Sequence, residues 1–533
     1  MAASTLAFSP FRRMFPEVLA PQERPCRLAP CNALFVNLRG VAKTHPFSAR
    51  TTELQPTKLH GMIEVDRPSR MAQLTLPHFK TSASPERTIR RPIHYLGSKL
   101  RLVDEILAWI DELAPLNDLD RPAPACDLFA GSGAVTGALA AHRPVVSVDV
   151  QEYSRVLCSA LLRPASVASD FAERLSDGLE SCPLHARLSD AITPLIQHED
   201  WCIAEASDGN PEPLCHLLER GSIVAANRDG IAAMPTSLAS AMKTTCSKLI
   251  QTGLMHSADS VVSRYYGGLY FGYKQSLALD VILASIAKEP ASHRDTLKAA
   301  TLSTASEIVN TVGKQFAQPI RPRGKDGRPK PGLWTRVKRD RSLDVLRIFI
   351  EWSRRFATAP SARTTSEALC KDYLEFLTDW KDPISIFYAD PPYTRDHYSR
   401  FYHVLETLCL RDSPDISTSN IGAGQRLSRG MYRAQRHQSP FCIQSKAPKA
   451  FAELFAHTRW FDAPLIVSYS PFDAASRARP RLMSIDQLVN LARSYYSDVS
   501  VESAGRVAHS KLNRKNLNVT TTDNAELFII CRP

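Results

Sequence analysis

Residues 125–133 read ACDLFAGSG, a short apolar run that ends in a glycine turn. Small residues with a helical pattern follow at 134–141, and a second apolar run, Val145 to Val148, ends in Asp149. A strand, a glycine turn, a helix, a strand and an acid in this order are typical of the opening of a parallel α/β sheet. This stretch therefore predicts an α/β fold.

The glycine turn and the acid after it suit a nucleoside-containing ligand. Gly131 and Gly133 let the backbone turn sharply and approach a ligand without a Cβ in the way. Asp127 can receive a ligand's ammonium, and Asp149, 22 residues further on, can accept both hydroxyls of a ribose. A short glycine turn can also be a packing device between a strand and a helix. Thr136 stands at the third glycine of a GxGxxG pattern, which argues against NAD.

A second motif follows the run ISIFYA at residues 384–389. It consists of Asp390, Pro391, Pro392 and Tyr393. Two prolines cannot continue a strand ladder, so they hold the chain rigid and leave carbonyls pointing outward. Such residues alone are more often a surface turn. Their position after a buried strand, in a chain that also carries the nucleoside turn, favours a site.

The chemistry of this motif suits an amino group on an aromatic ring. Such a nitrogen is a poor nucleophile because its lone pair is delocalised into the ring. A carboxylate and a carbonyl that accept its two N–H hydrogens favour the pyramidal, nucleophilic geometry, and a stacked aromatic ring holds the base in line. Asp390, the Pro391 carbonyl and Tyr393 supply these three groups.

Three segments together resemble the Dam-like adenine-specific DNA methyltransferases. Residues 94–99, HYLGSK, are similar to that family's Tyr-x-Gly-Gly-Lys motif, with Ser98 in place of the second glycine. Residues 127–133 are similar to its donor-binding turn and residues 390–393 to its catalytic motif. The order of the three segments along the chain is also that of the family. The family's third-strand motif cannot be located in the sequence.

The resemblance implies a Rossmann-like, seven-stranded methyltransferase sheet that a mostly helical target-recognition insertion interrupts. Its first and fourth strands would lie side by side, so the glycine turn and the Asp390 motif would face one crevice. It also implies methyl transfer from S-adenosyl-L-methionine to the exocyclic amino group of a flipped adenine in double-stranded DNA, with Lys99 able to meet the donor's methionine carboxylate. The implied catalytic residues are Asp390, Pro391, Pro392 and Tyr393, and the implied donor-binding residues are Tyr95, Gly97, Lys99, Asp127, Phe129, Gly131, Gly133 and Asp149.

Changes in composition divide the chain into four parts. Residues 1–88 are a poorly structured basic extension, 89–165 and 384–533 are the two parts of the methyltransferase core, and 166–383 are the helical insertion. The first fifty residues hold seven Lys/Arg and two acids. This start is an organellar transit peptide, a disordered arm or an over-long reading frame. The last two are favoured because no amphipathic helix is sustained.

Two basic runs are the candidates for contact with DNA. Residues 321–341 hold nine Lys/Arg, two Asp and Trp334 among helix-breaking Pro and Gly, which predicts a loop that contacts phosphates. Residues 426–437 form the second run, and the loop predicted at 263–268 is a third candidate. A solvated linker is the alternative for the first run. The predicted DNA-binding residues are Arg336, Lys338, Arg339, Arg341, Arg429, Arg433 and Arg436.

The bulk composition bounds the class of protein. A length of 533 residues suggests two or three domains, and the net charge of +12 favours a polyanionic partner. No run approaches the ~18 to 20 apolar residues of a membrane helix. The twelve cysteines lack metal-site spacing, which indicates reduced thiols, three of them core residues (Cys126, Cys158 and Cys409), and no metal. We expect a cytoplasmic monomer that acts on double-stranded DNA. A cognate restriction endonuclease is a further candidate partner.

Other chemistries share parts of this pattern. Asp-Pro-Pro-Tyr also serves guanine methyltransferases that act on ribosomal RNA, but these are usually compact. Cytosine amino methylation is a closer alternative, although Ser more often stands there in place of Asp390. Ring-carbon cytosine methylation needs a Pro-Cys nucleophile beyond the glycine turn, and the two Pro-Cys pairs, at 25–26 and 30–31, lie before it. A non-catalytic DNA-binding protein on the same scaffold is the remaining alternative.

Overall fold

A computed structural model describes residues 91–115, 122–362, 366–395, 397–421, 424–470, 482–503 and 526–533. These residues belong to one compact unit, Thr81–Pro533. The basic extension predicted at 1–88 lies outside the described residues.

Short apolar runs and alternating segments form the strands. In chain order they are β1 Ala125–Leu128, β2 Val145–Asp149, β3 Glu367–Cys370, β4 Ile386–Ala389, β5 Thr418–Ile421, β6 Gly424–Leu427, β7 Leu465–Tyr469, β8 Asp498–Ser503 and β9 Leu527–Arg532. β5 and β6 pair as a separate antiparallel hairpin, and the other seven form one sheet in the order β3-β2-β1-β4-β7-β9-β8.

The large sheet is parallel from β3 to β7 and antiparallel at β9 and β8. The predicted neighbours β1 and β4 are paired, with Asp127 opposite Tyr388 and Leu128 opposite Ala389. β8 and β9 are also paired, with Val499 opposite Cys531. The seven-stranded α/β fold expected from the sequence is therefore confirmed.

β3 is the strand that the sequence analysis did not locate. It lies inside the range 166–383 predicted for the insertion and pairs with β2 at the edge of the sheet. Its four residues, Glu367–Cys370, are partly exposed. An edge strand of this kind has no continuous apolar run, so the pattern that identified β1, β2 and β4 is missing from it.

Helices flank the sheet and fill the interval between β2 and β3. The described α-helices are α1 Val103–Leu113, α2 Ala134–Ala140, α3 Glu152–Leu162, α4 Ala168–Gly178, α5 Pro183–Ser207, α6 Glu212–Arg220, α7 Ile223–Asp229, α8 Thr236–Gln251, α9 Val261–Tyr266, α10 Tyr273–Ile286, α11 Ala291–Ile308, α12 Leu333–Arg341, α13 Val345–Ala357, α14 Tyr373–Asp379, α15 Tyr398–Phe401, α16 His403–Leu410, α17 Ala447–Arg459 and α18 Ile485–Ala492. Short 3-10 helices are found at Lys99–Arg101, Ala258–Ser260, Val312–Lys314 and Pro440–Cys442.

The inserted helices share a core with the sheet. α11 packs against α3, the helix that follows β2, and against α13. This contact ties the mostly helical insertion to the half of the sheet that carries the glycine turn. Cys126, Cys158 and Cys409 are buried, as predicted. The boundaries 89–165, 166–383 and 384–533 stay a prediction.

Candidate active site

Sheet topology brings the two motifs to one edge. β1 and β4 are parallel neighbours, so their carboxyl ends meet. The glycine turn leaves β1 after Leu128, and Asp390 follows β4 directly. The carboxylates of Asp127 and Asp390 lie close enough to raise the pKa of Asp127 through their repulsion, in addition to the larger effect of burial.

The turn after β1 requires its glycines. Gly131 has φ +57° and Gly133 has φ +75°, in the left-handed region. A Cβ at Gly131 would lie 2.5 Å from the Tyr95 hydroxyl, so the turn and the Tyr95 ring fit together only with glycine there. Phe129 also has a positive φ, and its ring packs against Tyr373 and Phe441, with centroids 5.4 Å from each.

Asp149, at the end of β2, is fixed by two backbone amides. Its Oδ2 accepts from the N–H of Gly131 and its Oδ1 from that of Gln151, both at 2.9 Å. Each carboxylate oxygen has a second lone pair, so this half-buried group can still accept two hydroxyls. Burial raises the pKa of Asp149 while these hydrogen bonds lower it. Asp149 therefore fixes the shape of the glycine turn.

Asp127 is buried with a hydroxyl partner. The Thr136 Oγ1 donates to its Oδ2 at 2.6 Å, and burial raises the pKa of Asp127 to about 7. The threonine that replaces the third glycine of GxGxxG is thus the hydrogen-bond donor for the acid of the turn. In the sequence, Thr136 is evident only as the residue that replaces a glycine.

Lys99 joins residues 94–99, the N-terminal segment of the site, to the motif at residues 390–393. Its Nζ lies 2.6 Å from Oδ2 of Asp390 and 3.5 Å from Oε1 of Glu526, and its side chain is 7% exposed. The resemblance to the methyltransferase family implied that this ammonium meets the carboxylate of a bound donor. In the structure its partners are instead two carboxylates of the protein itself.

The cluster of Lys99, Asp390 and Glu526 holds one cation between two anions. Burial and the neighbouring Glu526 raise the pKa of Asp390 to about 6, against the opposing effect of the Lys99 ammonium. Burial alone would lower the pKa of Lys99, but the two carboxylates raise it well above its usual range. At neutral pH the lysine is therefore charged and Asp390 is ionised.

Tyr393 sits beside this cluster. Its hydroxyl donates to Oε1 of Glu526 at 3.3 Å, its ring centroid lies 4.9 Å from that of Tyr469, and the Lys99 Nζ lies 5.9 Å from its ring centroid. The side chain is half-buried, which leaves part of the ring able to stack on a planar ligand.

The helices after the catalytic motif hold the N-terminal segment. The Tyr95 ring stacks on Tyr402, with centroids 4.8 Å apart, and the N–H of Leu96 donates to the Tyr402 hydroxyl at 2.7 Å. A Cβ at Gly97 would meet the Tyr398 hydroxyl at 3.0 Å. Tyr402 is fully buried.

Part of the first basic run is a helix, which corrects the prediction of a loop. Residues 333–341 form α12, which begins after Gly332. Lys338 and Arg339 are exposed on it, whereas Arg336 donates to the carbonyl of Thr311. The prediction for Arg341 was wrong: its side chain is 2% exposed and lies 3.1 Å from Glu199, so it cannot reach a phosphate.

The second basic run is partly committed to the protein. Arg433 forms a bidentate pair with Asp412, at 2.6 and 2.7 Å, and Arg429 donates to the carbonyl of Ile320. Arg436 donates to the carbonyl of Arg433. The loop predicted at 263–268 is wrong as well, since most of it belongs to α9, whose residues are buried. Of the seven predicted DNA-binding side chains, Lys338 and Arg339 are the exposed ones.

Two further features concern the described part of the chain. No three His, Cys, Asp or Glu side chains there lie together as metal ligands. No helix within those ranges is long and apolar enough to cross a membrane.

The comparison with known proteins matches the first half of the site. The sequence profile of the D12 class N6 adenine-specific DNA methyltransferases matches residues 95–186, which include Lys99, the glycine turn and Asp149. The modification methylase LlaI of Lactococcus lactis subsp. lactis is 34% identical over 117 residues, which are 22% of this chain and 16% of that protein. The match thus spans less than a fifth of that relative. The chain is related to the adenine-specific DNA methyltransferases, as its sequence motifs indicated.

Proposed function

We propose that the chain transfers a methyl group from S-adenosyl-L-methionine to the exocyclic amino group of a flipped adenine in double-stranded DNA. The observation that carries this proposal is the meeting of Asp390 and the glycine turn at the ends of the paired strands β1 and β4. The family match supports a methyl donor and a DNA substrate. An acceptor for an amino group and a nucleoside site at one sheet edge are the two parts that such a reaction needs.

The donor would lie along the turn between β1 and α2. Asp149 would accept its ribose hydroxyls with the lone pairs that Gly131 and Gln151 leave over. Tyr95 and Gly131 would form the wall beside it, because a Cβ at Gly131 has no room. When bound, S-adenosyl-L-methionine supplies an electrophilic methyl group on a positively charged sulfur.

The acceptor side uses Asp390 and the backbone of Pro391. Lys99 engages Oδ2 of Asp390, so Oδ1 can accept one amino hydrogen while the Pro391 carbonyl accepts the other. Both contacts would localise the lone pair on the amino nitrogen, which would accept the electrophilic methyl group that the bound donor supplies. One amino proton leaves through Asp390 toward solvent. Tyr393 would stack on the extruded base and hold it in line.

Labelled methyl transfer tests the proposal. The full chain is incubated with donor carrying a tritiated methyl group and with unmethylated duplex DNA, and the DNA is digested to nucleosides. Label in N6-methyladenine is expected. Label in N4-methylcytosine, or in RNA offered in parallel, would redirect the acceptor assignment to those alternatives. Binding of DNA with no transfer to any nucleic acid would identify a non-catalytic binding protein.

Asp149→Asn is expected to weaken donor binding by roughly ten- to a hundredfold. The variant keeps the size of the side chain but replaces the charged acceptor of two hydroxyls by a neutral one. A hydrogen bond to a charged group contributes about 1.5–3 kcal/mol and one to a neutral group about 0.5–1.5 kcal/mol, so the two bonds together lose about 2 kcal/mol. Calorimetric titration with the donor measures the change. Asp190→Asn, at an exposed carboxylate of α5, is the control. Unchanged donor affinity in Asp149→Asn would remove the donor from this end of β2.

Replacing Lys338 and Arg339 by Gln together is expected to weaken DNA binding and to flatten its salt dependence. Each lost phosphate contact reduces the slope of log affinity against log salt by about 0.9. Arg341 is kept, because its removal would leave Glu199 buried without this partner. Duplex binding is measured at several salt concentrations against Lys446→Gln/Lys449→Gln, an exposed pair with the same change in charge. Equal slopes in the two variants would mean that α12 does not contact DNA.

The remaining expectations stay predictions: a cytoplasmic location, a monomeric state and a cognate restriction endonuclease. Gel filtration of the full chain checks the second of them, with a single peak at the monomer mass expected.

A further inference from the structure

Glu526 lies at the junction of three elements of the site. It precedes β9 directly and is 6% exposed. Its Oε1 accepts from the Ser468 Oγ at 2.8 Å and from the Tyr393 hydroxyl at 3.3 Å, and it lies 3.5 Å from the Lys99 Nζ. One oxygen therefore contacts β7, the catalytic motif and the N-terminal segment.

The sheet fixes the position of this carboxylate. β9 lies between β7 and β8 and pairs with β7, with Leu527 opposite Tyr469. β7 in turn pairs with β4, which ends at Asp390. Glu526 is therefore held at the site by the paired ends of β4, β7 and β9, although it lies 136 positions after Asp390 in the sequence.

We propose that Glu526 is a positioning residue for methyl transfer: it orients the Tyr393 ring and shares the Lys99 ammonium with Asp390, so that Asp390 keeps its strength as an acceptor. The inference rests on the proposed function. A hydroxyl anchored to a buried carboxylate restricts the tilt of the tyrosine ring. An ammonium divided between two carboxylates withdraws less charge from either of them than an ammonium paired with one.

Several charged or titratable groups face Asp390: Lys99, Glu526, Asp127, Tyr388 and Tyr393. Lys99 lowers the pKa of Asp390 and Glu526 raises it. Removing the charge of Glu526 leaves the effect of Lys99 with less opposition, so the pKa of Asp390 falls. Because only the ionised form of Asp390 is a charged acceptor that can take up the amino proton, the acid limb of the activity profile must then move to lower pH.

The test compares Glu526→Gln and Glu526→Ala in the full chain, with Ser468→Ala as the matched control. Gln keeps an acceptor for Tyr393 but loses the charge. We expect its acid limb to move roughly one pH unit lower, with kcat at neutral pH reduced less than in the Ala variant. Ala loses the tyrosine anchor too, and its kcat should fall about tenfold further. Ser468→Ala keeps the charge, so its acid limb should stay with the parent.

The outcomes separate this inference from the proposed function. A parent chain that methylates no adenine overturns the function itself. A parent that does, with Glu526→Gln and parent profiles that coincide, overturns the role of Glu526 alone. Thermal unfolding of each variant is followed in parallel. If Glu526→Gln does not fold, Glu526→Asp is used in its place. This variant keeps the charge but moves the carboxylate away from Lys99 and Tyr393 by about one C–C bond. A lower kcat and an acid limb at lower pH are again expected, and a parent-like profile again overturns the role.

Discussion

Asp390→Ala is expected to lower methyl transfer at least about a hundredfold while donor affinity stays within a few-fold. The proposed role of this side chain is to accept an amino hydrogen of the base, in a hydrogen bond that is strongest in the transition state. Loss of one such preorganised group typically lowers the rate by ~10² to 10³. The proposed donor contacts are on Asp149 and the glycine turn, which are joined by the Gly131 N–H to Asp149 hydrogen bond and which this change does not touch. Single-turnover transfer of a labelled methyl group and donor calorimetry measure the two effects.

The fold should survive this substitution. Lys99 loses the partner at 2.6 Å but keeps Glu526 at 3.5 Å, so its buried ammonium still has a counter-charge. Asp382→Ala, at an exposed carboxylate shortly before the same strand, is the matched control and should keep parental activity. Parental turnover in Asp390→Ala would exclude this carboxylate from the chemistry.

The sequence predicted the half of the sheet that carries the motifs. Apolar runs identified β1, β2 and β4. These elements are buried between layers, so their side chains record the burial directly. The pairing of β1 with β4 came from the resemblance to the family, and the structure has it.

The exposure of the basic side chains could not be predicted, because it depends on contacts between distant parts of the chain. Arg341 looks like its exposed neighbours Lys338 and Arg339 in sequence, and only its pairing with Glu199, 142 residues earlier, makes it a buried residue. A charge pattern cannot distinguish these cases, because either kind of arginine occurs on a basic helix.

Glu526 gave no signal either. It is a single acid before a strand, and only the pairing of β9 with β7 places it beside Lys99 and Tyr393. One local clue was available for Thr136: a hydroxyl one turn into the helix after a buried acid can donate back to that acid.

Lys99→Met is expected to produce the second large effect and to move the acid limb opposite to Glu526→Gln. Without the ammonium, Asp390 and Glu526 face each other in a buried site with no cation between them, so the pKa of Asp390 rises above its present value of about 6. Asp390 is then protonated over more of the neutral range, so it is a weaker acceptor for the amino hydrogen and cannot take up the amino proton. Transfer at neutral pH should fall roughly a hundredfold and recover in part as the pH is raised.

Stability should respond to pH with a defined sign. A carboxyl group whose pKa is raised on folding favours the folded state below its unfolded pKa, and this contribution is lost as the pH rises through the folded pKa. Lys99→Met should therefore unfold at a lower temperature than the parent, with a larger deficit at about pH 8 than at about pH 5. Loss of one partner of a buried pair sets the scale at about 3 kcal/mol.

Lys99→Arg and Lys449→Met complete the test. Lys99→Arg keeps the charge and should restore most of the parental acid limb, although the longer side chain will lower kcat. Lys449→Met removes a lysine that is 82% exposed and should match the parent in both profiles. If Lys99→Met were to show the parental acid limb and the same unfolding temperature deficit at both pH values, the ammonium would not set the charge of Asp390. The opposite shifts expected for Lys99→Met and Glu526→Gln would then have no common cause.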